Sequence, residues 1–594
     1  MTKPSGATCH CSLFNSHFSF WPCLPIRDVC IVATTNMEPW SQIYAPLGHW
    51  LVSALVAALP VVVLFYLLAV QRTSAPTAAF AGAGAAILIA IVVCGMPASL
   101  AFASFFYGAA FGLLPIGYVV FAAIFLYQIS LDSGQFEVMK ASIGNLTADR
   151  RLQALLIAFA FGAIIEGAAG FGTPVAISAA LMMGLGFKPF YAAALCLIAN
   201  TAPVAWGAVG TPLVTLAAVT DLPLADLSAM NARILPIMSL IVPLWLVRTM
   251  VGWKETREVM PAIAVCGVSF ATTQFLWGNY VDAYLVDIVG GIICLVVTGA
   301  FLKVWKPKKT FLFEEDRGVT TQQASYTTGQ VLHGWMPFLI LGFFVVLWGW
   351  PSVKTALNSF SIGPIASTYL IDVPVLDRAV VRVPPVVAAT TTERAVYTLN
   401  WVSTTGTGVM LAAIVAALAA GFSPRRILES FLKTCRRMKI PLLAIVPMLG
   451  LGYVTRYSGI DAILGLAFTR TGFFYPFFAA FLGWLGVALT GSDTSSNALF
   501  GSLQKITAQQ LGLDPILICS ANSAGGVMGK MVDAQSIVVA TTATNQVGNE
   551  GIIFRFVLWH SIALATIVAL IVMAIAYIFP GYVPHNVQFL EPLF

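Results

Sequence analysis

Two stretches of the chain resemble each other, and together they decide the fold that the sequence predicts. In the first, EGAAGFGTPVAISAALMMGLGFKP (166–189) leads into NTAPVAWGAVGTP (200–212). In the second, TGSDTSSNALFGSLQKITAQQLGLDP (490–515) leads into NSAGGVMGKMVDAQS (522–536). Both run from a turn of small residues through Leu-Gly-x-x-Pro to a break that contains Asn, which indicates an internal duplication.

These stretches lie in two zones, 152–217 and 490–545, that are mostly apolar but interrupted by Gly, Pro and polar residues. Non-helical backbone is tolerated at membrane depth only inside protein or beside a water-filled cavity. The zones therefore predict two re-entrant hairpins and broken helices. The first follows the basic pair Arg150 and Arg151, whereas the second follows a helix over 473–490 that starts from the opposite side. This orientation predicts inverted repeats, the architecture of a secondary transporter with its substrate site at the repeat interface.

The composition predicts a membrane protein. Of the 594 residues 59% are hydrophobic and only 9% are charged, against roughly 25% charged in a soluble domain. Because a single apolar core stops growing at about 250–300 residues, the lipid bilayer is the required second apolar solvent. We expect an all-α polytopic protein with about eleven to fourteen transmembrane helices. The net charge of +6 reflects Lys and Arg retained in cytoplasmic loops, so it does not indicate a nucleic-acid partner.

The chain is interpreted as one transporter domain, 37–594, preceded by an extension. Residues 1–36 contain four cysteines and no apolar run long enough for a signal-peptide core. The stretch from Met37, MEPWSQIYAPLGHW, is typical of a natural start, so we interpret 1–36 as a disordered segment or a misassigned start. Placing the basic loops in the cytoplasm leaves the long 352–402 segment outside. The cysteine spacings favour neither a disulfide nor a metal site.

Small and polar residues are concentrated at the two predicted turns. GSDTSSN (491–497) offers one carboxylate, four hydroxyls and one carboxamide where backbone N–H groups lack helical partners. The glycines of EGAAGFG (166–172) let the backbone approach a ligand. Both turns suit a small hydroxy-carboxylate because helix N-termini accept anions. Alternatively, the hydroxyls only cap the turns and the glycines only permit close helix packing. The predicted substrate-binding residues of the turns are Gly167, Gly170, Gly172, Thr173, Ser492, Thr494, Ser495, Ser496 and Asn497.

Two polar pairs, Asn200 with Thr201 and Asn522 with Ser523, are predicted to interrupt the helices that follow the turns. Carboxamides and hydroxyls at such positions bond either freed backbone groups or the substrate hydroxyl. The sequence does not separate these roles, so all four join the predicted substrate-binding set.

Two acidic residues, Glu166 and Asp493, lie within the interrupted zones. An ionisable group inside a span costs about 2.5–3.5 kcal/mol on insertion scales, so it rarely occurs without a function. We predict that both take part in proton coupling, with Glu166 loading and releasing the proton. The alternatives are a permanently protonated helix contact for Glu166 and a turn cap or cation ligand for Asp493. Lys530 and Asp533, three residues apart, predict a neutralising pair.

Several motifs resemble those of the bacterial L-lactate permease family, which includes glycolate permease. They are EGAAGFGTPVAI, GLGFKPFYAAALCLIANTAPVAWGAVGTP, FLGWLGVALTGSDTSSNALF, GGVMGKMV and the PPVV of the long loop. They follow the family's order from about 37 to 579, whereas 1–36 departs from it. The resemblance implies proton-coupled uptake of L-lactate, D-lactate, glycolate and related 2-hydroxy monocarboxylates across the bacterial cytoplasmic membrane. It also implies a two-hairpin ion-transporter-like fold, no enzymatic step and no cofactor besides the proton.

Three other classes of protein are alternatives to this prediction. A sodium-coupled or other small-carboxylate transporter would use Asp493 and the neighbouring hydroxyls as oxygen ligands. An intramembrane enzyme is disfavoured because the sequence holds no DDxxD, HExxH or GxSxG constellation. A sensor would ordinarily add a soluble signalling domain, and no loop is large or polar enough to form one.

Overall fold

The long apolar runs form helices, and among the described residues ten are long and apolar enough to cross a membrane, or up to eleven with one bent pair. The computed structural model describes residues 39–67, 71, 73–144, 146–170, 172–313, 326–363, 365–387 and 389–589. The predicted extension at 1–36 lies outside them. The prediction of an all-α polytopic protein is confirmed. The predicted number of eleven to fourteen spans is too high, although its lower limit of eleven agrees with the count in which the bent pair forms one span. Three apolar helices are too short to span: Trp50–Phe65, Thr173–Gly184 and Thr405–Ala419.

The α-helices are α1 (Trp50–Ala57), α2 (Leu59–Phe65), α3 (Ala75–Val92), α4 (Ala98–Phe111), α5 (Tyr118–Asp132), α6 (Gln135–Gly144), α7 (Arg150–Ala154), α8 (Gly162–Ala169), α9 (Thr173–Gly184), α10 (Pro189–Ala199), α11 (Gly207–Thr220), α12 (Leu224–Val251), α13 (Trp253–Glu258), α14 (Met260–Tyr280), α15 (Val286–Val304), α16 (Thr328–Gly349), α17 (Pro351–Ser359), α18 (Thr405–Ala419), α19 (Pro424–Ser458), α20 (Ile460–Phe468), α21 (Tyr475–Thr490), α22 (Asp493–Leu511), α23 (Pro515–Gly529), α24 (Ala534–Ala543) and α25 (Glu550–Tyr577). π-Helical turns over Gly112–Gly117 and Leu155–Phe161 join α4 to α5 and α7 to α8.

The described strands lie in the segment between α17 and α18, called here the strand segment, except the first of them, which precedes α1. The strands are β1 (Trp40–Ser41), β2 (Ser361–Ile362), β3 (Ile365–Ala366), β4 (Thr368–Asp372), β5 (Val380–Arg382), β6 (Thr391–Thr392) and β7 (Val396–Asn400). β1 pairs in parallel with β5, while β5–β6, β2–β3 and β4–β7 pair antiparallel. Tyr397 donates to the Leu114 carbonyl (2.8 Å), which packs this strand segment over the α4–α5 junction.

Loops predicted to be cytoplasmic meet at one face. The buried Arg151 pairs with Asp149 (2.8 Å) and Glu258 (3.0 Å) and donates to the Lys309 carbonyl (2.9 Å). Three separate loops therefore converge on one guanidinium, as expected if they share a side of the membrane.

The helix α19 connects the two ends of the bundle. Near its start Lys433 pairs with Asp132, at the end of α5 (2.9 Å). Near its end Arg456 pairs with Glu393, in the strand segment (3.3 Å). The strand segment therefore lies at the opposite end from this basic loop, which supports the predicted orientation.

The first interrupted zone forms a helical hairpin, hairpin 1, from α8 and α9. Between them the chain turns through Gly170 (φ 58°) and Gly172 (φ 76°), a conformation that costs glycine little. Pro174 then lies in the first turn of α9, where its missing N–H has no helical partner to lose. The Ser178 hydroxyl donates to the Ile157 carbonyl (3.2 Å), so the two arms run antiparallel.

The second zone forms hairpin 2 from α21 and α22. The turn is at Gly491 (φ 74°), and the Ser492 hydroxyl caps α22 by accepting from the Ser495 N–H (3.3 Å). At the base of the hairpin Gln510 donates to the Pro385 carbonyl in the strand segment (2.6 Å). The two hairpins thus start from opposite ends of the bundle.

Glycines hold hairpin 2 tightly against α23. A Cβ on Gly483 would overlap the Asn522 carbonyl, and one on Gly525 would overlap the Ala480 carbonyl. Small residues at such positions let helix backbones approach closely, which is the usual basis of helix association in membranes.

One of the two predicted helix breaks lies where expected. α10 ends at Asn200 and Thr201, and the following helical residues are bent from it by 68°. In contrast, α23 passes through Asn522 and Ser523 without interruption, so their prediction as a break is wrong. The break in this half is at Lys530–Val532, seven residues later. The amide and hydroxyl of this pair have partners on α22, so they do not disrupt α23.

Candidate functional site

Both hairpin turns and both helix breaks line one pocket with an empty volume of about 310 Å³. Its lining comes from the end of α8, the start of α11, the turn of hairpin 2 and the break after α23. The lining residues are Glu166, Gly170, Val204, Gly207, Ala208, Pro212, Gly491, Ser492, Asp493, Thr494 and Lys530. The fold therefore brings together residues that are more than 300 positions apart in the sequence.

Glu166 is buried at the end of α8, with 3% of its surface exposed. Its carboxyl lies against the start of α11, because a Cβ on Gly207 would be 2.6 Å from Glu166 Oε1. Its Oε2 has no hydrogen-bond partner among the described residues. The acid that we predicted to carry the proton thus borders the pocket and keeps one oxygen unpaired.

Asp493 is also buried, in the first turn of α22. Its Oδ2 accepts from the Ser523 hydroxyl (2.5 Å) and from the Asn497 amide (3.3 Å). A Cβ on Gly526 would overlap its Oδ1. Each acid of the pocket therefore depends on a glycine in a neighbouring helix to make room for its carboxyl.

A chain of amides continues from Asp493 into α21 and α23. Asn522 donates to Asn497 (2.9 Å) and accepts from Gln504 (3.1 Å), which in turn accepts from the Tyr475 hydroxyl (2.7 Å). Gln504 and Tyr475 are not among the residues that the sequence predicted for the site. Gln504 lies seven residues after Asn497, on the same helical face, and this spacing was the available signal.

Lys530 was predicted only as the partner of Asp533, and that ion pair is present (3.2 Å). The ammonium also donates to the Gly491 carbonyl (2.6 Å) and lines the pocket. It is 3% exposed. The second helix break therefore places a buried cation against the turn of hairpin 2, a role that the sequence analysis did not assign.

The other predicted residues lie beside the pocket rather than in its lining. Ser496 donates to the Gly483 carbonyl (3.1 Å) and so joins α22 to α21, whereas Thr201 donates to the Ile198 carbonyl at the end of its own helix (2.7 Å). Asn200 is buried beside Glu166, but its side-chain amide makes no hydrogen bond of acceptable geometry within the described residues. The predicted residues outside the lining are Gly167, Gly172, Thr173, Asn200, Thr201, Ser495, Ser496, Asn497, Asn522 and Ser523.

Membrane-length helices around a small, charged, buried pocket define the class: this is a multi-pass membrane transporter. A family model described as L-lactate permease matches residues 53–579. The chain is 42% identical over 566 residues to the L-lactate permease of Bacillus subtilis, covering 92% of this chain and 100% of that protein. It is 43% identical over 559 residues to the glycolate permease GlcA of Escherichia coli, covering 92% and 99%.

The chain therefore belongs to the L-lactate permease family, as its motifs predicted, and is a transporter rather than an enzyme. Among solved structures it is similar to Neisseria gonorrhoeae MtrF, with 12% identity, a TM-score of 0.43 and coverage of 82% of this chain and 85% of that one.

Proposed function

We propose that this protein carries L-lactate, D-lactate, glycolate and related 2-hydroxy monocarboxylates into a bacterial cell across the cytoplasmic membrane, each with one proton. The observation that carries the proposal is the single pocket in which Glu166, Asp493 and Lys530 meet at the two hairpin turns. The names of the relatives, L-lactate permease and glycolate permease, support this substrate class.

The pocket provides opposite ends for a short hydroxy acid. Lys530 and the N-terminus of α22 attract a carboxylate, because an ammonium and unpaired helix N–H groups both favour an anion. The hydroxyls of Ser492 and Thr494 border the same space and can bond the 2-hydroxyl group.

Proton coupling follows from the charge of the substrate. A membrane potential of 100 mV, negative inside, opposes entry of a monovalent anion by about 2.3 kcal/mol. One proton carried with the anion makes the step electrically neutral. Glu166 suits this role because its unpaired Oε2 can take up a proton without breaking a hydrogen bond.

The arrangement of the hairpins suits alternating access. Hairpin 1 starts near the basic loops around Arg151, hairpin 2 starts near the strand segment, and their turns meet at the pocket. In inverted repeats of this kind, movement of one half against the other exposes a central site to each side in turn.

The test is uptake of labelled L-lactate by proteoliposomes with an imposed inward pH gradient. We expect uptake that a protonophore abolishes, that glycolate but not succinate competes, and that persists when potassium replaces sodium. A requirement for sodium would favour the sodium-coupled alternative. Absence of gradient-driven uptake of any monocarboxylate by the folded protein would contradict the proposal.

The role of Glu166 is tested by Glu166→Gln in the same vesicles. We expect this variant to lose acid-driven accumulation but to keep L-lactate exchange at equal pH on both sides, since exchange needs no net proton movement. Glu429→Gln, which changes an acid that is 57% exposed on α19, is the matched control. Full acid-driven accumulation by Glu166→Gln would show that the proton is carried elsewhere.

A further inference from the structure

Asp287, in the first turn of α15, is a buried carboxyl without a role in the mechanism above. Its exposed fraction is 0%, and neither of its oxygens has a hydrogen-bond partner among the described residues. An Asp that stabilised its own helix N-terminus would accept a backbone N–H or face solvent, and this one does neither. Leaving a buried polar group unpaired costs about 1–3 kcal/mol, and more when it is charged. An isolated carboxyl in such a site carries a proton rather than a charge.

Asp287, on α15, packs against Gly167, the residue that follows Glu166 in α8. A Cβ on Gly167, the next residue of α8, would be 2.9 Å from Asp287 Cβ and 2.8 Å from Ile288 Cγ1. α15 follows α8 further along, since a Cβ on Gly291 would be 2.6 Å from Ile164 Cγ1. Gly167, predicted as a substrate-binding residue, thus faces Asp287 and permits this contact.

Among the described residues, the charged group that acts electrostatically on Asp287 is Glu166. Besides α8, the elements packed against α15 are α14 and the π-helical turn over Leu155–Phe161, and neither contains an acidic or basic residue. Asp282, in the loop before α15, is engaged by the backbone N–H groups of Tyr284 (2.6 Å) and Leu285 (2.7 Å). Lys530 and Asp533 act on the other side, upon Glu166. No cation among these residues therefore offsets a negative charge on Asp287.

We propose that Asp287 is a second proton-carrying residue, which exchanges one proton with Glu166 as substrate enters and leaves the pocket. The inference rests on the proposed proton-coupled function. Two neighbouring carboxyls in a low-dielectric site do not both ionise readily, so they retain one proton between them. The O–H bond of one carboxyl breaks as that of the other forms, directly or through one water, and no other reactant is needed. Asp287 holds the proton away from the pocket while Glu166 is ionised.

The test compares Asp287→Asn with Asp461→Asn in proteoliposomes. Asp461 is a matched control because it is also a buried Asp in the first turn of a helix, α20, but its charged neighbours are Arg382 and Arg456. Asp287→Asn is expected to lose acid-driven accumulation of L-lactate while exchange at equal pH persists. Asp461→Asn is expected to keep both.

Wild-type accumulation by Asp287→Asn would overturn the role of Asp287 and leave the proposed function standing. Failure of the wild-type protein to couple uptake to protons would overturn the proposed function and the carboxyl pair with it. The two failures are therefore distinguishable.

Infrared difference spectroscopy of folded protein provides a second test if Asp287→Asn does not fold. On binding L-lactate the wild-type protein should show changes in two protonated-carboxyl bands, both sensitive to deuterium exchange, and Glu166→Gln should retain only one. A wild-type spectrum without a change in any protonated-carboxyl band would overturn the proposal.

Discussion

The two interrupted zones share a hairpin and a broken helix but differ in how their polar groups are bonded. In the second zone Asn522 uses both ends of its amide, and Asp493 accepts two hydrogen bonds at Oδ2. In the first zone neither end of the Asn200 amide has a partner of acceptable geometry, and Glu166 Oε2 is unpaired, within the described residues. Among the same residues Asp493 Oδ1 is unpaired as well, so each acid keeps an oxygen free for a proton. The zones differ in the groups around the acid: Asp493 Oδ2, Asn497, Asn522 and Ser523 form one hydrogen-bonded network, the fixed cradle, whereas the Asn200 amide beside Glu166 is unbonded within the described part of the chain.

The difference follows from the composition of the two turns. GSDTSSN (491–497) supplies donors and acceptors that bond one another and α23, while EGAAGFG (166–172) supplies glycines, which contribute only backbone. Buried polar groups that share a network rigidify a site, and unpaired ones stay available at a cost in stability.

The largest expected effect is that of Asp493→Ala, which removes the centre of the cradle. It leaves the Ser523 hydroxyl without its acceptor, at about 1–3 kcal/mol. It also takes one of two acceptors from the Asn497 amide, which keeps the Pro212 carbonyl, and removes a carboxyl from the pocket that Lys530 lines. We expect both acid-driven uptake and equal-pH exchange to be lost and the thermal unfolding temperature in detergent to fall. Glu166→Gln, in contrast, should lose only accumulation. Retained exchange by Asp493→Ala would show that the second zone is not the fixed cradle.

A smaller effect is expected from Gly207→Ala, which tests the glycine opposite Glu166. The added methyl would lie 2.6 Å from Glu166 Oε1, so the carboxyl must move, at about 1–3 kcal/mol for overpacking. We expect impaired acid-driven accumulation with exchange largely preserved. Gly184→Ala, with no atom within 4 Å of the new methyl, is the control and should match the wild type. Unchanged coupling in Gly207→Ala would mean that the position of Glu166 does not matter.

The smallest expected effect is a difference in stability between variants of Asn200 and Asn522, which the sequence repeat places at equivalent positions. Asn522→Ala leaves Asn497 Oδ1 unpaired and removes one of the two acceptors of Gln504 Nε2, and it is expected to lower the free energy of unfolding by about 1–3 kcal/mol. Asn200→Ala removes no well-formed hydrogen bond and should cost less than about 1 kcal/mol. Thermal unfolding of both purified variants measures the difference. Equal losses would remove the distinction between the zones.

Much of the site could be predicted because its residues violate the local pattern of the sequence. Glu166, Asp493 and the small residues around them stand out inside apolar runs, where polar groups are expensive. Asn522 and Ser523 stand out equally, yet they lie in a continuous helix. A polar residue in an apolar run therefore shows that a partner is needed, but not whether that partner is backbone, side chain or ligand.

Other residues could not be found from local pattern. Asp287 stands at the start of α15, where an acidic residue is ordinary because of the helix dipole, and only its contact with α8 makes it unusual. Lys530 was explained by Asp533, three residues away, so its position at the turn of hairpin 2 was not expected. Gln504 lies in α22, a helix with many polar residues, so its type alone does not single it out.

The membrane environment, the two interrupted zones, their glycine and hydroxyl turns and the family could all be predicted from the sequence, because hydropathy and short motifs are local properties. The packing of distant segments establishes that both turns and both breaks line one pocket, which of the paired asparagines is hydrogen-bonded, and where the second break lies. These depend on contacts between residues hundreds of positions apart, such as Asn497 with Pro212 (3.1 Å). Whether a buried polar atom is bonded or free is settled by which helix packs against it.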